Sequence, residues 1–165
     1  MSTLDLIIRA IHVVGASMWL GAAFFIAWFL MPAIRDTGPD GGKVMLAVQK
    51  RGWVAAVPII ATLTVASGFW LYRPYMGDPG TAAMVLGYGG VIALAAYILG
   101  AGVVSPSMAK AAKLMTSASS MADGQDKAAT MATVQKLRQR AFVGARIVSM
   151  LVIISAVLMT LAAYL

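Results

Sequence analysis

The sequence contains a single histidine, His12, and it lies inside a long apolar segment. Imidazole is a common ligand of transition metals and haem iron, and it also exchanges protons near neutral pH. Arg9 precedes His12 by three residues and Trp19 follows it by seven, so a helix would place all three side chains on one face. Gly15 and Ala16 lie between them. They would leave a shallow hollow in which a macrocycle fits, with Arg9 near a haem propionate.

Three roles are open for His12. The side chain can form a hydrogen bond across helices to a serine, threonine or tyrosine, and Arg9 and Trp19 are then boundary and packing residues. It can instead ligate haem or a metal ion, or it can move a proton. An ionisable side chain inside an apolar helix is costly, which favours a functional role.

A haem held by one histidine has either an open position or a second axial ligand. With antiparallel helices, Met84 and Met159 would lie near the depth of His12, and methionine sulfur binds both haem iron and Cu(I). Most of the 12 methionines are expected to fill gaps in the packing. The alternative to a methionine ligand is a homodimer, in which two copies of His12 are offered to one haem.

Several kinds of chemistry are excluded by composition. Without cysteine there are no disulfides and no thiolate sites, and the sequence also lacks glutamate. The absence of acidic residues from the apolar segments argues against a proton or cation antiporter and against hydrolysis by paired carboxylates. The six aspartates all fall in loops or at helix ends: Asp5, Asp36, Asp40, Asp78, Asp123 and Asp126.

The lengths of the stretches between charged residues predict the helices that carry these side chains. The chain has 165 residues, of which 61% are hydrophobic and 12% charged, and its mean hydropathy is +0.84. Four stretches without charge are 25, 21, 31 and 19 residues long, against roughly 20 residues for a helix that crosses the hydrocarbon. We therefore expect an all-α integral membrane four-helix bundle in a single domain. The expected spans are Leu4–Met31, Trp53–Tyr72, Thr81–Val104 and Phe142–Leu165.

The basic residues indicate the topology. Eleven of the 13 lie in the loops after the first and third spans or at the mouth of the fourth, and only Arg9 and Arg73 lie on the other side. The positive-inside rule makes the basic side cytoplasmic and places both termini outside. We expect a multi-pass protein of the bacterial inner membrane, with these termini periplasmic. Asp5, Arg9 and the length of the first span predict a retained helix rather than a cleaved signal. The charge favours contact with the lipid bilayer and not with nucleic acid, since aromatic residues are not interleaved with it.

The connecting segments give finer predictions. The stretch from Arg35 to Gly42 is typical of a turn-rich loop. Between Ser107 and Arg140 we expect short cytoplasmic helices that extend the third and fourth spans, interrupted near Gly124. Arg146 is expected to be an interfacial anchor. Small residues four apart predict close helix packing. These pairs are Ser17 with Gly21, Ala23 with Ala27, and Ala96 with Gly100.

Three segments resemble known proteins. IHVVGASMWLGAAFF (Ile11–Phe25), RGWVAAVPIIATLTVASGFWL (Arg51–Leu71) and MTLAAYL (Met159–Leu165) are similar to helices of the CopD-like and HemJ-like four-helix membrane proteins. The resemblance implies a four-helix bundle in which His12 matches a histidine associated with haem binding. The chain lacks the further histidine after the first helix and the lysine in the third helix that HemJ-like enzymes carry.

These observations lead to one main hypothesis and two alternatives. The main hypothesis is a b-type haem protein that uses His12 to exchange electrons with a quinol or a periplasmic donor. The first alternative is a non-catalytic accessory or scaffold subunit of a larger membrane complex, which the small-residue faces and the lack of acidic residues favour. The second is a copper-handling membrane protein.

Overall fold

The computed structural model describes residues 2–38 and 41–165, and every regular element in them is helical. Four of the helices in this part of the chain are long and apolar enough to cross a membrane. The predicted all-α class and the four apolar helices are therefore confirmed. The five helices, with α2 the short one, are α1 Thr3–Asp36, α2 Gly41–Lys50, α3 Trp53–Tyr72, α4 Thr81–Ser119 and α5 Gln125–Leu161.

Two helices run past the ends that the prolines predict. Helix α1 continues through Pro32, and α4 continues through Pro106. The turn before each proline widens into a π-helical turn, Ile26–Leu30 in α1 and Gly100–Val104 in α4. A proline cannot donate a backbone hydrogen bond, and its ring crowds the carbonyl four residues earlier. The wider turn accommodates this without ending the helix.

Helix α2 was not predicted. Its first residues belong to the segment Arg35 to Gly42, where a turn-rich loop was expected, and Pro39 and Asp40 of that segment lie outside the described residues. Gly41 packs directly against the backbone carbonyl of Ile34, where no side chain would fit. The apolar side of α2 could have been found from Met45 and Val48, which are three residues apart and are both partly buried.

Successive long helices are antiparallel neighbours, and α5 returns to pack against α1. Trp19 of α1 lies in the core with Ala61 of α3, Ala96 of α4 and Val148 of α5. A second buried cluster joins Ala27 and Met31 of α1 to Ala141 and Ala145 of α5. Each apolar helix thus buries one side against two others.

Helices α4 and α5 continue to pack together beyond their apolar parts. Ala111, Ala118 and Val134 are buried in these extensions. The predicted helical extensions after the third span and before the fourth are present, and they are separated around Gly124. The extensions of α4 and α5 beyond their apolar parts, together with α2, form the basic end of the molecule. The part that holds the two termini and the α3–α4 turn is called the terminal end.

Small residues allow the closest approaches, but not all of the predicted ones. A Cβ on Gly144 would lie 2.9 Å from Cγ2 of Val104, and one on Gly89 would lie 3.1 Å from Cγ of Met159. Ala27 and Ala96 are fully buried, as the spacing predicted. The predicted contact at Gly21 is wrong, because Gly21 is exposed with no other side chain or helix within 4 Å.

Candidate functional site

His12 lies half-buried between α1 and α3, towards the terminal end. Its Nδ1 is 2.9 Å from the backbone carbonyl oxygen of Thr64 and 3.2 Å from the hydroxyl of Ser67. The cross-helix hydrogen bond that was one of the three expected roles is therefore formed. Its principal partner is a carbonyl rather than a side-chain hydroxyl.

The partners determine which ring nitrogen carries the proton. A carbonyl can only accept, so Nδ1 must donate to Thr64. The Ser67 hydroxyl donates to the carbonyl of Leu63 at 2.6 Å, which leaves its oxygen to accept a second, longer interaction from Nδ1. In the neutral imidazole, Nε2 then carries the free lone pair. No described residue forms a hydrogen bond with Nε2.

Two glycines bring α1 and α3 close enough for this bond. A Cβ on Gly68 would lie 2.7 Å from Cε1 of His12, so the imidazole lies directly over the bare backbone of α3. A Cβ on Gly15 would lie 2.5 Å from the hydroxyl oxygen of Thr64. Gly15 was noted from the sequence as part of a hollow beside His12. In the structure that hollow is filled by α3.

Arg9 and Trp19, the predicted neighbours of His12 on α1, have different environments. Arg9 is exposed, one turn closer to the start of the helix. Trp19 is only 4% exposed and belongs to the core, packed among α3, α4 and α5. The three side chains follow one side of α1, but only Trp19 is enclosed by the protein.

The two candidate second ligands lie on other helices. Met84 is 47% exposed on α4, and Met159 packs against Gly89 where α5 meets α4. The main contacts of α1 are with α3 and α5, whereas α4 packs chiefly on α5 and α3.

A cavity of about 120 Å³ lies between the four long helices, in the half nearer the basic end. Its lining is apolar and rich in aromatic and methionine side chains. Trp19 is part of this lining, whereas His12, Met84 and Met159 are not. The lining side chains from α2 show that this short helix closes the cavity at the basic end. Among the lining residues are Trp19, Met31, Met45, Val48, Trp53 and Tyr97.

Other metal-ligating side chains do not gather near His12. Within the described residues no group of three or more histidine, cysteine, aspartate or glutamate side chains lies close enough to hold a metal ion. The aspartates in this part of the chain lie at or near helix ends, as predicted, and Asp40 is outside it.

A cluster of charged and aromatic side chains near the basic end was not predicted. Arg146 was expected to be an interfacial anchor, but its guanidinium carbon lies 4.8 Å from the ring centre of Trp28 and 4.4 Å from that of Phe142. Arg35 approaches the same Phe142 ring at 5.7 Å. The Trp28 indole donates a hydrogen bond of 3.2 Å to the buried hydroxyl of Ser149, which fixes the orientation of the ring. The i, i+4 spacing of Phe142 and Arg146 was the available sequence signal.

Comparisons with protein-family models, curated proteins and solved structures found no match to this chain. The likeness to CopD-like and HemJ-like proteins therefore depends on the three sequence segments alone.

Proposed function

We propose that the protein is a small b-type haem protein of the bacterial inner membrane and that His12 is an axial ligand of the haem iron. In this proposal the four long helices form a bundle that spans the bilayer. The basic end faces the cytoplasm, because cytoplasmic segments are enriched in lysine and arginine. Both termini, and the end of α1 nearer to His12, then face the periplasm.

The observation that supports this function most directly is the hydrogen bond from Nδ1 of His12 to the Thr64 carbonyl, at 2.9 Å. Histidines that bind metals usually donate their other ring N–H to a carbonyl or carboxylate. That bond fixes the tautomer and the ring orientation and makes Nε2 a better ligand.

The donor chemistry fits one axial position of haem. Thr64 and Ser67 hold the imidazole, and the missing Cβ of Gly68 leaves room for Cε1 of the ring beside α3. Because the central cavity does not include His12 in its lining, the proposed haem is not a ligand of that cavity. Bound haem supplies a one-electron redox centre.

A second copy of His12 is the proposed source of the other axial ligand. Met84 is exposed, and Met159 is packed against Gly89. A homodimer in which two copies of His12 hold one haem would need neither methionine as a ligand. A quinol or a periplasmic donor would provide the electrons.

The test is a visible spectrum of the full chain, expressed with haem supplied and purified in mild detergent. We expect a Soret band that is lost in His12→Ala and kept in Ser17→Ala. Ser17 is a matched control because it lies on α1 and bonds only to Val13 of its own helix, at 2.8 Å. Helix content by circular dichroism should be the same in all three proteins.

Several outcomes would decide against the proposal. A wild-type protein without a Soret band, or a band that His12→Ala leaves unchanged, would overturn the haem function. Copper retained under reducing conditions in the absence of haem would favour the copper-handling alternative. A ratio of one haem to one chain, rather than one to two, would exclude the shared haem while leaving His12 as the ligand.

A further inference from the structure

The side chain of Arg146 is held in place by aromatic rings rather than by an acidic partner. It is half-buried where α1 meets α5, and its guanidinium carbon lies close to the rings of both Trp28 and Phe142. Its Nε is buried and has no hydrogen-bond partner among the described residues. Buried donors are nearly always paired, so an unpaired guanidinium nitrogen needs an explanation.

The remaining guanidinium nitrogens of Arg146 are available to a ligand. Only Nε of this side chain is both buried and unpaired, and no described residue forms a hydrogen bond or ion pair with the Nη groups. Because Nε is buried, the edge that a ligand can reach is formed by the two Nη groups. Such an edge matches the geometry of two phosphate oxygens. The arrangement presents an oriented edge of N–H donors.

A second positive charge lies over the same ring. The guanidinium carbon of Arg35 is 5.7 Å from the Phe142 centre, on the α1 side of the junction. Its own ion pair, with Asp36 at 3.6 Å, is highly exposed on both sides and therefore weak. Two guanidinium groups with one weak acidic contact between them give this junction a net positive charge. An anionic ligand would complement it.

The surroundings indicate that the anion belongs to a lipid. Residues that follow Arg146 along α5 carry no side-chain charge up to Leu165. Large apolar side chains are exposed beside the junction on both helices, which suits contact with acyl chains. They are Phe24, Phe25 and Phe29 on α1, and Val143, Ile147 and Met150 on α5.

We infer that the α1–α5 junction is a binding site for an anionic phospholipid, whose phosphate contacts Arg146 and Arg35 while its acyl chains cover the exposed apolar side chains. The inference depends on the membrane placement proposed above, but not on haem. Positively charged pockets between helices at the cytoplasmic side are suited to anionic headgroups. Trp28 and Phe142 act as positioning residues that hold the guanidinium group of Arg146.

The test is native mass spectrometry of the full chain in detergent, titrated with phosphatidylglycerol or with phosphatidylcholine. We expect preferential retention of phosphatidylglycerol, reduced by about fivefold in Arg146→Gln, the effect of losing one positive charge near a membrane surface. Arg73→Gln is the matched control, because Arg73 stacks on Trp70 at 3.5 Å but lies at the terminal end. The control should keep the wild-type preference.

Arg35→Gln provides a second variant, because the Arg35 side chain is 65% exposed and its loss should not disturb folding. It should also weaken the preference. Equal losses in Arg73→Gln and Arg146→Gln, or no loss in both Arg35→Gln and Arg146→Gln, would overturn the lipid site. Displacement of the lipid by inorganic phosphate would show that the junction binds free phosphate and would also overturn it. His12→Ala should retain the lipid preference, so a failed haem test would leave this result interpretable.

Discussion

The Nδ1 of His12 donates a hydrogen bond to the backbone carbonyl of Thr64, across the interface between α1 and α3. The partner is a main-chain group, so no substitution at position 64 removes it directly. The bond depends instead on how closely the two helices approach. Glycines control that distance at this interface, and they provide the sharpest tests.

Replacing Gly68 with alanine should displace the imidazole. The new Cβ would lie 2.7 Å from Cε1 of His12, too close for an ordinary contact, so the ring would have to move away from Thr64. We expect Gly68→Ala to lower the haem content per chain severalfold, as measured from the Soret absorbance. The Cβ added by Gly21→Ala on α1 would have no other side chain or helix within 4 Å. This variant should therefore keep the wild-type haem content. Equal haem content in the two variants would contradict a role for this contact.

The buried hydroxyl of Ser155 should contribute measurably to the packing of α5 on α4. It donates a hydrogen bond of 2.8 Å to the backbone carbonyl of Gly89. Interhelical hydrogen bonds of this kind are worth about 0.6 kcal/mol, with a maximum near 1.7. Ser155→Ala should lower the free energy of unfolding by about that amount, as measured by titration with a denaturing detergent.

Thr160→Ala is the control for this measurement. Thr160 lies on the same helix, is exposed, and bonds only to Ala156 of its own helix. Its removal should change the free energy of unfolding by less than about 0.5 kcal/mol, as is usual for surface substitutions. A loss in Thr160→Ala as large as that in Ser155→Ala would argue against the interhelical bond.

Gly144 should not tolerate a side chain. Its missing Cβ would lie 2.9 Å from Cγ2 of Val104, within the π-helical turn of α4. We expect Gly144→Leu to destabilise the protein by about 1–3 kcal/mol through overpacking, seen as a lower midpoint of thermal unfolding. Gly102→Leu, in the same turn of α4 but with no neighbour within 4 Å, should leave that midpoint nearly unchanged. Similar midpoints for both variants would show that α4 and α5 separate without cost.

The pKa of Asp123 provides a test in the segment between α4 and α5. Lys127 donates a hydrogen bond of 2.6 Å to this carboxylate, and this bond together with the positive charge lowers the pKa below its ordinary value of 3.8. A lowered pKa in the folded state stabilises the protein above the unfolded pKa, and this contribution is lost as the pH falls through the folded value. Lys127→Gln should raise the pKa, as followed by carbon NMR of the carboxyl group.

Lys136→Gln is the matched control for that titration, since Lys136 is exposed further along α5. It should leave the pKa of Asp123 where it is in the wild type. If Lys127→Gln and Lys136→Gln gave the same value as the wild type, the contact between Lys127 and Asp123 would not persist in solution. The effect on overall stability is expected to be small, because the carboxylate is fully exposed.

The sequence was sufficient for the parts of the fold that depend on local composition. Long stretches without charge predict helices because an apolar segment must satisfy its backbone groups internally. The break near Gly124 and the helical extensions around it followed from the same kind of local reasoning. The ends assigned at Met31 and Val104 were less accurate, because a proline does not end a helix when the preceding turn can widen.

Tertiary structure decided the features that depend on how the helices rotate and how closely they approach. The sequence placed Arg9, His12 and Trp19 on one side of α1, but only the packing shows that Trp19 enters the core while Nδ1 of His12 meets α3. The stacking of Arg146 on Trp28 joins residues more than a hundred positions apart. Such contacts change with a small rotation of one helix, and an apolar sequence with many small residues allows many rotations. The periodicity of a single chain therefore determines the helices, whereas the packing determines which of their polar atoms meet.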